Sequence, residues 1–406
     1  MDLATLKSLR PALRRFARRF HGCIKMEATR AHLETYVSGQ LGALPRKSVE
    51  PIALEAGVPV RTLQEFLSCH RWDDRAMREK VQAIVRREHR HPHALGVIDE
   101  TAHPKKGDKT PGVQRQWCGA TGKKDNCVVT VHLGYVAGDF HALLDGDLFL
   151  PESWHEDRAR CRAAGIPEEV VYRPKWRIAL DLLEGAVGRS VRMEWLVADE
   201  LYGRVPDFRQ GVRELGVHFV VEVPCDTRGW IPTRLLETGP RRVDGLWERG
   251  GPTWETWRIK DTEKGWSVWE VRATRFVPVE EGIAGEEGWL LVARSVLDGT
   301  VKYFLSSAPE ETSIGTLLHV AFSRWHVERL FLEGKSEVGF DHFEGRTHTG
   351  LRRHLVLTSV SLLFLAKQRE RLRGKRGVAS SPSSSFASPW SASSTPTSLV
   401  ASAAAG

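Results

Sequence analysis

The sequence predicts an α/β fold with a β-rich insertion, preceded by a helical segment, and three observations carry that reading. Strand-like apolar runs follow one another between residues 94 and 148, and helix and strand then alternate to residue 223. Residues 230–300 break the rhythm: seven of the fourteen tryptophans fall there, amid alternating Arg, Val and Glu, as in an inserted antiparallel β unit. Residues 1–90 read as helical throughout and carry 18 Lys and Arg against 10 Asp and Glu. The expected division is 1–90 helical, 91–229 first part of the core, 230–300 insertion, 301–375 last part of the core, and 376–406 a disordered Ser/Ala/Pro-rich tail.

The net charge of +8 lies entirely in the first 90 residues, because the remainder holds 41 of each sign. A basic head on a neutral body points to a polyanionic partner, most simply nucleic acid, with an anionic membrane surface the weaker competitor. The six cysteines are scattered, without a CxxC pair, and read as reduced thiols. The arginine-rich start lacks the apolar core of a secretory signal. A transit peptide and a basic amphipathic helix facing DNA both match its composition. The longest apolar run, Leu355–Ala366, is too short and too polar to span a bilayer. A cytosolic chain is expected.

In order along the chain, Ser48–Ser68 has the layout of a helix-turn-helix. Ala53 sits at the helix crossing, Gly57 in the turn, and Leu63 anchors the second helix. Arg61 and Gln64 would then be offered to a major groove; an ordinary helical hairpin fits equally. Ala94–Asp99 is a buried strand ending in an acid, and Cys127–Val136 and Phe140–Leu148 are strands joined at Ala137–Asp139. A helix falls within Pro167–Val187, a strand at Glu194–Ala198, a helix at Val205–Leu215 and a strand at His218–Val223. After the insertion, Val301–Ser306 returns to a core strand, and Leu351–Leu372 is a further helix.

The chemistry centres on Phe322–Gly339, a proline-free stretch with helical spacing. At about 100° per residue, Arg324, Glu328 and Lys335 share one face. A carboxylate between two cations suits a metal ion beside a phosphate backbone; a solvated face with i,i+4 pairing is the competing reading. Asp99 and Asp199 each follow an apolar strand, at sheet ends where such folds place their sites. For either one alone, a turn or helix cap is the competing reading. Together with Glu328 they could hold two Mg²⁺ or Mn²⁺ ions, which hard oxygen ligands select and which serve phosphodiester chemistry.

The segments GVIDET (96–101), PKKG (104–107), RQWCGATGKKDNC (115–127), LLDGDLFLPESW (143–154), VADELYG (197–203) and RWHVERLFLEGK (324–335) carry a resemblance. Taken in order, they resemble the DDE transposases of insertion sequences, in the insertion-sequence-701 family related to the insertion-sequence-4 group. That group's Y-x2-R-x3-E-x6-K motif is met by Arg324, Glu328 and Lys335, with Ala321 where the tyrosine would stand. The resemblance implies an RNase H-like core with Asp99, Asp199 and Glu328 as catalytic, metal-holding acids. It also accounts for the β insertion within the 129-residue step between the last two.

It further implies cleavage at transposon ends, 3′-OH strand transfer, and a homodimer in a synaptic complex on double-stranded DNA. Arg324 and Lys335 would then position the phosphates flanking the cut, while Lys105 and Lys106, close behind the first acid, either touch DNA or lie in a solvated loop. Trp325 could stack on an unpaired base or fill the core. His91, His93 and His103 show no zinc pattern with the cysteines and read as structural or solvent-facing. Two other readings remain: a transposase descendant that binds DNA without catalysis, and an RNase H-fold nuclease or resolvase.

Overall fold

The computed structural model describes residues 3–234, 239–247, 251–262 and 265–375; the tail expected at 376–406 lies outside them. Five helices come first: α1 (Leu3–Arg18), α2 (Glu27–Leu41), α3 (Val49–Glu55), α4 (Val60–Ser68) and α5 (Asp74–Glu88). Gly57 takes a positive φ of 65° in the turn between α3 and α4, and Ala53 and Leu63 are fully buried where the helices meet. The Asp73 side chain caps α5 by accepting from the Ala76 amide at 2.9 Å.

The chain then enters four strands, β1 (Leu95–Pro104), β2 (Gln114–Cys118), β3 (Lys123–Ala137) and β4 (Phe140–Leu148). Helices α6 (Glu152–Glu156), α7 (Arg158–Ala163) and α8 (Lys175–Gly188) follow, then β5 (Trp195–Ala198), α9 (Glu200–Gly203), α10 (Pro206–Glu214) and β6 (His218–Val223). The Trp-rich segment supplies β7 (Arg228–Trp230), β8 (Arg241–Arg242), β9 (Glu255–Thr262), β10 (Gly265–Glu280), β11 (Ile283–Ala284) and β12 (Gly288–Ser295). After β13 (Val301–Ser306) come α11 (Ile314–Ala321), α12 (Trp325–Val338) and α13 (His348–Lys375).

One large mixed sheet runs β2-β3-β1-β5-β6-β13-β12-β10-β7-β8, with β4 also on β3 and with β9 and β11 on β10. Pairs β1–β5 and β5–β6 are parallel; β1–β3, β3–β4 and β6–β13 are antiparallel. β5 is buried at every position, as a parallel strand covered on both faces should be. β10 and β12 extend this same sheet through β13.

Helix α13 joins the helical head to the sheet, packing on β4 and on α2, α4 and α5. Its contact with the head is partly polar. His354 Nδ1 meets the Tyr36 hydroxyl at 2.9 Å, and Gln40 bonds Thr358 at 3.2 Å and Ser361 at 2.8 Å, all buried. No described helix is long and apolar enough to cross a membrane.

Gly203, at the end of α9, lies against the backbone of β6: an added Cβ would sit 2.0 Å from the Glu222 carbonyl oxygen. A main-chain atom of a central strand cannot yield as a side chain can. Gly203→Ala is expected to lower the unfolding free energy by about 1–3 kcal/mol, read by urea denaturation.

Candidate active site

The parallel pairing of β1 with β5 runs from Leu95–Trp195 to Val97–Val197, and both upstream acids lie just past it. Asp199 ends its strand as expected and also acts as a helix cap, its Oδ1 accepting from the Leu201 amide at 3.0 Å. Asp99 does not end its strand. β1 continues to Pro104 because β3 supplies antiparallel partners along its whole length, Asp99 standing opposite His132. The topology therefore sets two carboxylates side by side where two parallel strands part, the edge at which α/β sheets hold ligands.

Burial pushes the Asp99 carboxyl up to about 7; Arg324 counteracts this, and the negative charges of Asp199 and Glu100 add to it. Asp199 is raised as well, first by burial and then by Glu100. The charges of Asp199 and Glu100 beside Asp99 thus make a negative pocket that a cation relieves.

The third acid arrives from the helical side. Phe322–Gly339 is not one uninterrupted α-helix. Phe322–Arg324 is a 3-10 turn, α12 starts at Trp325, and Gly339 closes it at a φ of 69°. Arg324 thus sits at the N-cap of α12, where its guanidinium bridges two elements. It donates to Asp99 Oδ2 at 2.9 Å and pairs with Glu328 Oε1 at 2.8 Å. Burial works against the Arg324 charge, but Asp99, Glu328 and Asp199 outweigh it, so its pKa is raised. Lys335, three turns along, donates to the Ala102 carbonyl of β1 at 3.3 Å, and burial lowers its pKa. Ala321, at the motif's tyrosine position, is buried at the end of α11.

The donor set fits hard divalent cations in kind, being carboxylate oxygens without sulfur or imidazole. Among the described residues no three acidic, His or Cys side chains are gathered closely enough to hold an ion. Asp99 and Asp199 are adjacent, whereas Glu328 is linked to them through Arg324, whose positive charge stands between the acids.

Sequence reasoning missed a clamp beneath these acids. Glu100 points to the opposite face of β1 from Asp99. It accepts from the Tyr202 hydroxyl at 2.8 Å and from Lys175 Nζ at 2.7 Å. The Tyr202 amide in turn bonds the Asp199 carbonyl at 3.2 Å, and the Glu100 amide donates to Asp99 Oδ1 at 2.8 Å. These bonds tie the two strand ends together. The available signal was an acid directly after each aspartate, in DET and DEL. Tyr202→Phe is expected to cost about 1–3 kcal/mol of stability, since it leaves a Glu100 oxygen short of a partner.

The other expected contacts are dispersed. Lys105 Nζ donates to the carbonyls of Asp341 at 2.9 Å and Phe343 at 2.6 Å, and burial lowers its pKa to about 8. It is a tie for the loop after α12, while Lys106 is exposed. Trp325 is half-buried and stacked on His326 at 3.8 Å. Arg61 and Gln64 are both exposed on α4. His103 is buried against Thr130 at 2.9 Å, and His93 meets Glu194 at 2.6 Å.

The family described as DDE superfamily endonuclease matches residues 19–275, a span that includes Asp99 and Asp199 and ends before Glu328. A relative from Microchaete diplosiphon, the probable transposase for insertion sequence element IS701, is 31% identical over 315 residues, covering 75% of this chain and 74% of that one. The NurA nuclease structure from Sulfolobus solfataricus overlays 60% of this chain and 84% of its own at 10% identity. Its TM-score of 0.25 is too low for any reading. By the family match across most of its length and by its likeness to the IS701 transposase, this chain belongs to the DDE endonucleases, among the transposases of insertion sequences.

Proposed function

We propose that this transposase cuts DNA at the ends of its insertion sequence and joins the freed 3′-hydroxyl to target DNA, using Asp99, Asp199 and Glu328 as metal-holding acids. The observation that carries the reading is the site itself. Two acids stand side by side at the parting of β1 and β5, with a third brought to them by the guanidinium of Arg324. The strand order β4-β3-β1-β5-β6, three antiparallel strands followed by two parallel ones, supports an RNase H-like core. Two divalent cations, Mg²⁺ or Mn²⁺, would activate the attacking oxygen and stabilise the leaving one. Asp99 and Asp199 would hold the ions from the sheet and Glu328 from the helix. The Glu100–Tyr202 bond keeps the sheet pair in register. Arg324, released from the acids, is placed to neutralise a phosphate beside the cut. The exposed face of α4, with Arg61 and Gln64, suits a DNA groove and makes the helical head a DNA-binding domain. Joining two ends to one target requires at least two copies, hence a homodimer on DNA.

The test is a labelled transposon-end duplex incubated with Mg²⁺ or Mn²⁺ and a target plasmid. Cleaved ends and joined products are expected. Cleavage without joining would indicate a nuclease or resolvase, and binding without cleavage a non-catalytic descendant.

A further inference from the structure

The segment between the first two acids contains a feature that the catalytic site leaves unused. β2 and the first part of β3 form a two-stranded ribbon that runs past the sheet, because β1 stops at Pro104 opposite Cys127. Side chains directly across an antiparallel pair share a face. Trp117 is paired with Lys124, and Arg115 lies two residues before Trp117, so these three occupy one side of the ribbon. All three are exposed; Trp117 keeps 64% of its surface open. Gln116, Cys118 and Asp125 fall on the other side, with Cys118 buried. The ribbon's only acid thus points away from the cationic face. Asn126 holds the adjoining loop against the ribbon by donating to the carbonyls of Lys105 at 2.9 Å and Gly107 at 2.7 Å, which brings the exposed Lys106 alongside.

A bare indole between an arginine and a lysine costs solvation without repaying it in the core. Cations suit phosphate, and an aromatic face suits a nucleobase. We propose that this ribbon is a DNA-binding arm, with Arg115 and Lys124 on phosphates and Trp117 against a base. The inference rests on the transposase reading for its ligand. The arm projects beyond the end of β1 toward which the acids lie. Lys124 is eight residues along β3 from His132, the partner of Asp99, so the arm's face is roughly 26 Å from the acids. That span is about eight base pairs of duplex. A two-stranded ribbon is also narrow enough to enter a major groove. The arm would therefore grip the same DNA several base pairs away from the cut.

Fluorescence anisotropy with a labelled duplex carrying the element's terminal sequence tests this, in chelator so that cleavage plays no part. The proteins are the full chain, Trp117→Ala, Trp117→Phe and the double variant Arg115→Ala/Lys124→Ala. Trp117→Ala is expected to bind about tenfold more weakly and Trp117→Phe to recover most of that loss. The double variant is expected to lower the slope of log affinity against log salt by about two. Wild-type affinity and slope in both Trp117→Ala and the double variant would overturn the arm while leaving the catalytic reading intact. Failure of the wild-type chain to bind the terminal duplex would overturn both.

Discussion

Asp99→Asn is expected to abolish cleavage of the transposon end, by on the order of 10³-fold or more, while making the metal-free protein more stable at neutral pH. The opposite signs follow from the same geometry. Asp99 is nearly buried beside Asp199, and burial with like charge holds its carboxyl at about 7. An unfolded chain ionises that group near 4. Between those values the folded state binds more protons than the unfolded one, so rising pH removes stability. Below about pH 4 both states are protonated and the term vanishes. The stability gap between Asp99→Asn and wild type should therefore widen from pH 4 to pH 7, to at most about 4 kcal/mol, and then level off. Urea unfolding in chelator across that range measures it. A gap independent of pH would mean that Asp99 is not held against its charge.

Arg353→Ala is expected to weaken the seating of the helical head on α13, at a cost of about 3–4 kcal/mol. The guanidinium is buried in α13 and donates to the carbonyls of Phe66 at 3.3 Å, Leu67 at 3.1 Å and Trp72 at 2.8 Å. It also lies 4.4 Å from the Trp72 ring centre. Two of those carbonyls belong to the last turn of α4, where oxygens lack intrahelical donors and a cation is favoured; that of Phe66 also accepts from Trp72 Nε1 at 2.7 Å. Truncation would leave three buried acceptors without this donor and loosen α4 from α13. Thermal unfolding should show the loss, with Arg353→Lys intermediate because one ammonium cannot span the same acceptors. An unfolding curve like that of wild type would show that the head is held without this contact.

The apolar segments were legible because continuous burial leaves a plain mark. His218–Val223 and Val301–Ser306 are strands within the bounds their apolar runs set. Asp99 was harder to place. The residues after it, Glu100–Pro104, have no strand-like run of their own, and only pairing with β3 keeps them extended. The 3-10 turn at Phe322–Arg324 was hidden for a related reason: the apolar spacing continues through it, and nothing local breaks the helix. The spacing of Arg324 and Glu328 allowed the i,i+4 pair that forms, whereas the bond from Lys335 to the Ala102 carbonyl of β1 needed the fold. The clamp from Glu100 to Tyr202 and the seat of Arg353 depend on partners about a hundred and about 280 residues away. No local pattern encodes such pairings, because a buried polar group is satisfied only when the fold has assembled. Lys105 shows the same limit: from the sequence it could reach DNA, but in the fold its ammonium ties two backbone carbonyls.

Whether Asp99, Asp199 and Glu328 together hold the ions for DNA cleavage is decided by locating those ions. The measurement is a crystal structure of the chain bound to its terminal duplex with Mn²⁺, the metal placed by anomalous scattering. Mn²⁺ is expected on carboxylate oxygens of Asp99, Asp199 and Glu328, with Arg324 withdrawn from between them onto a DNA phosphate. Mn²⁺ bound elsewhere, with Arg324 still bridging Asp99 and Glu328 beside the scissile phosphate, would contradict it.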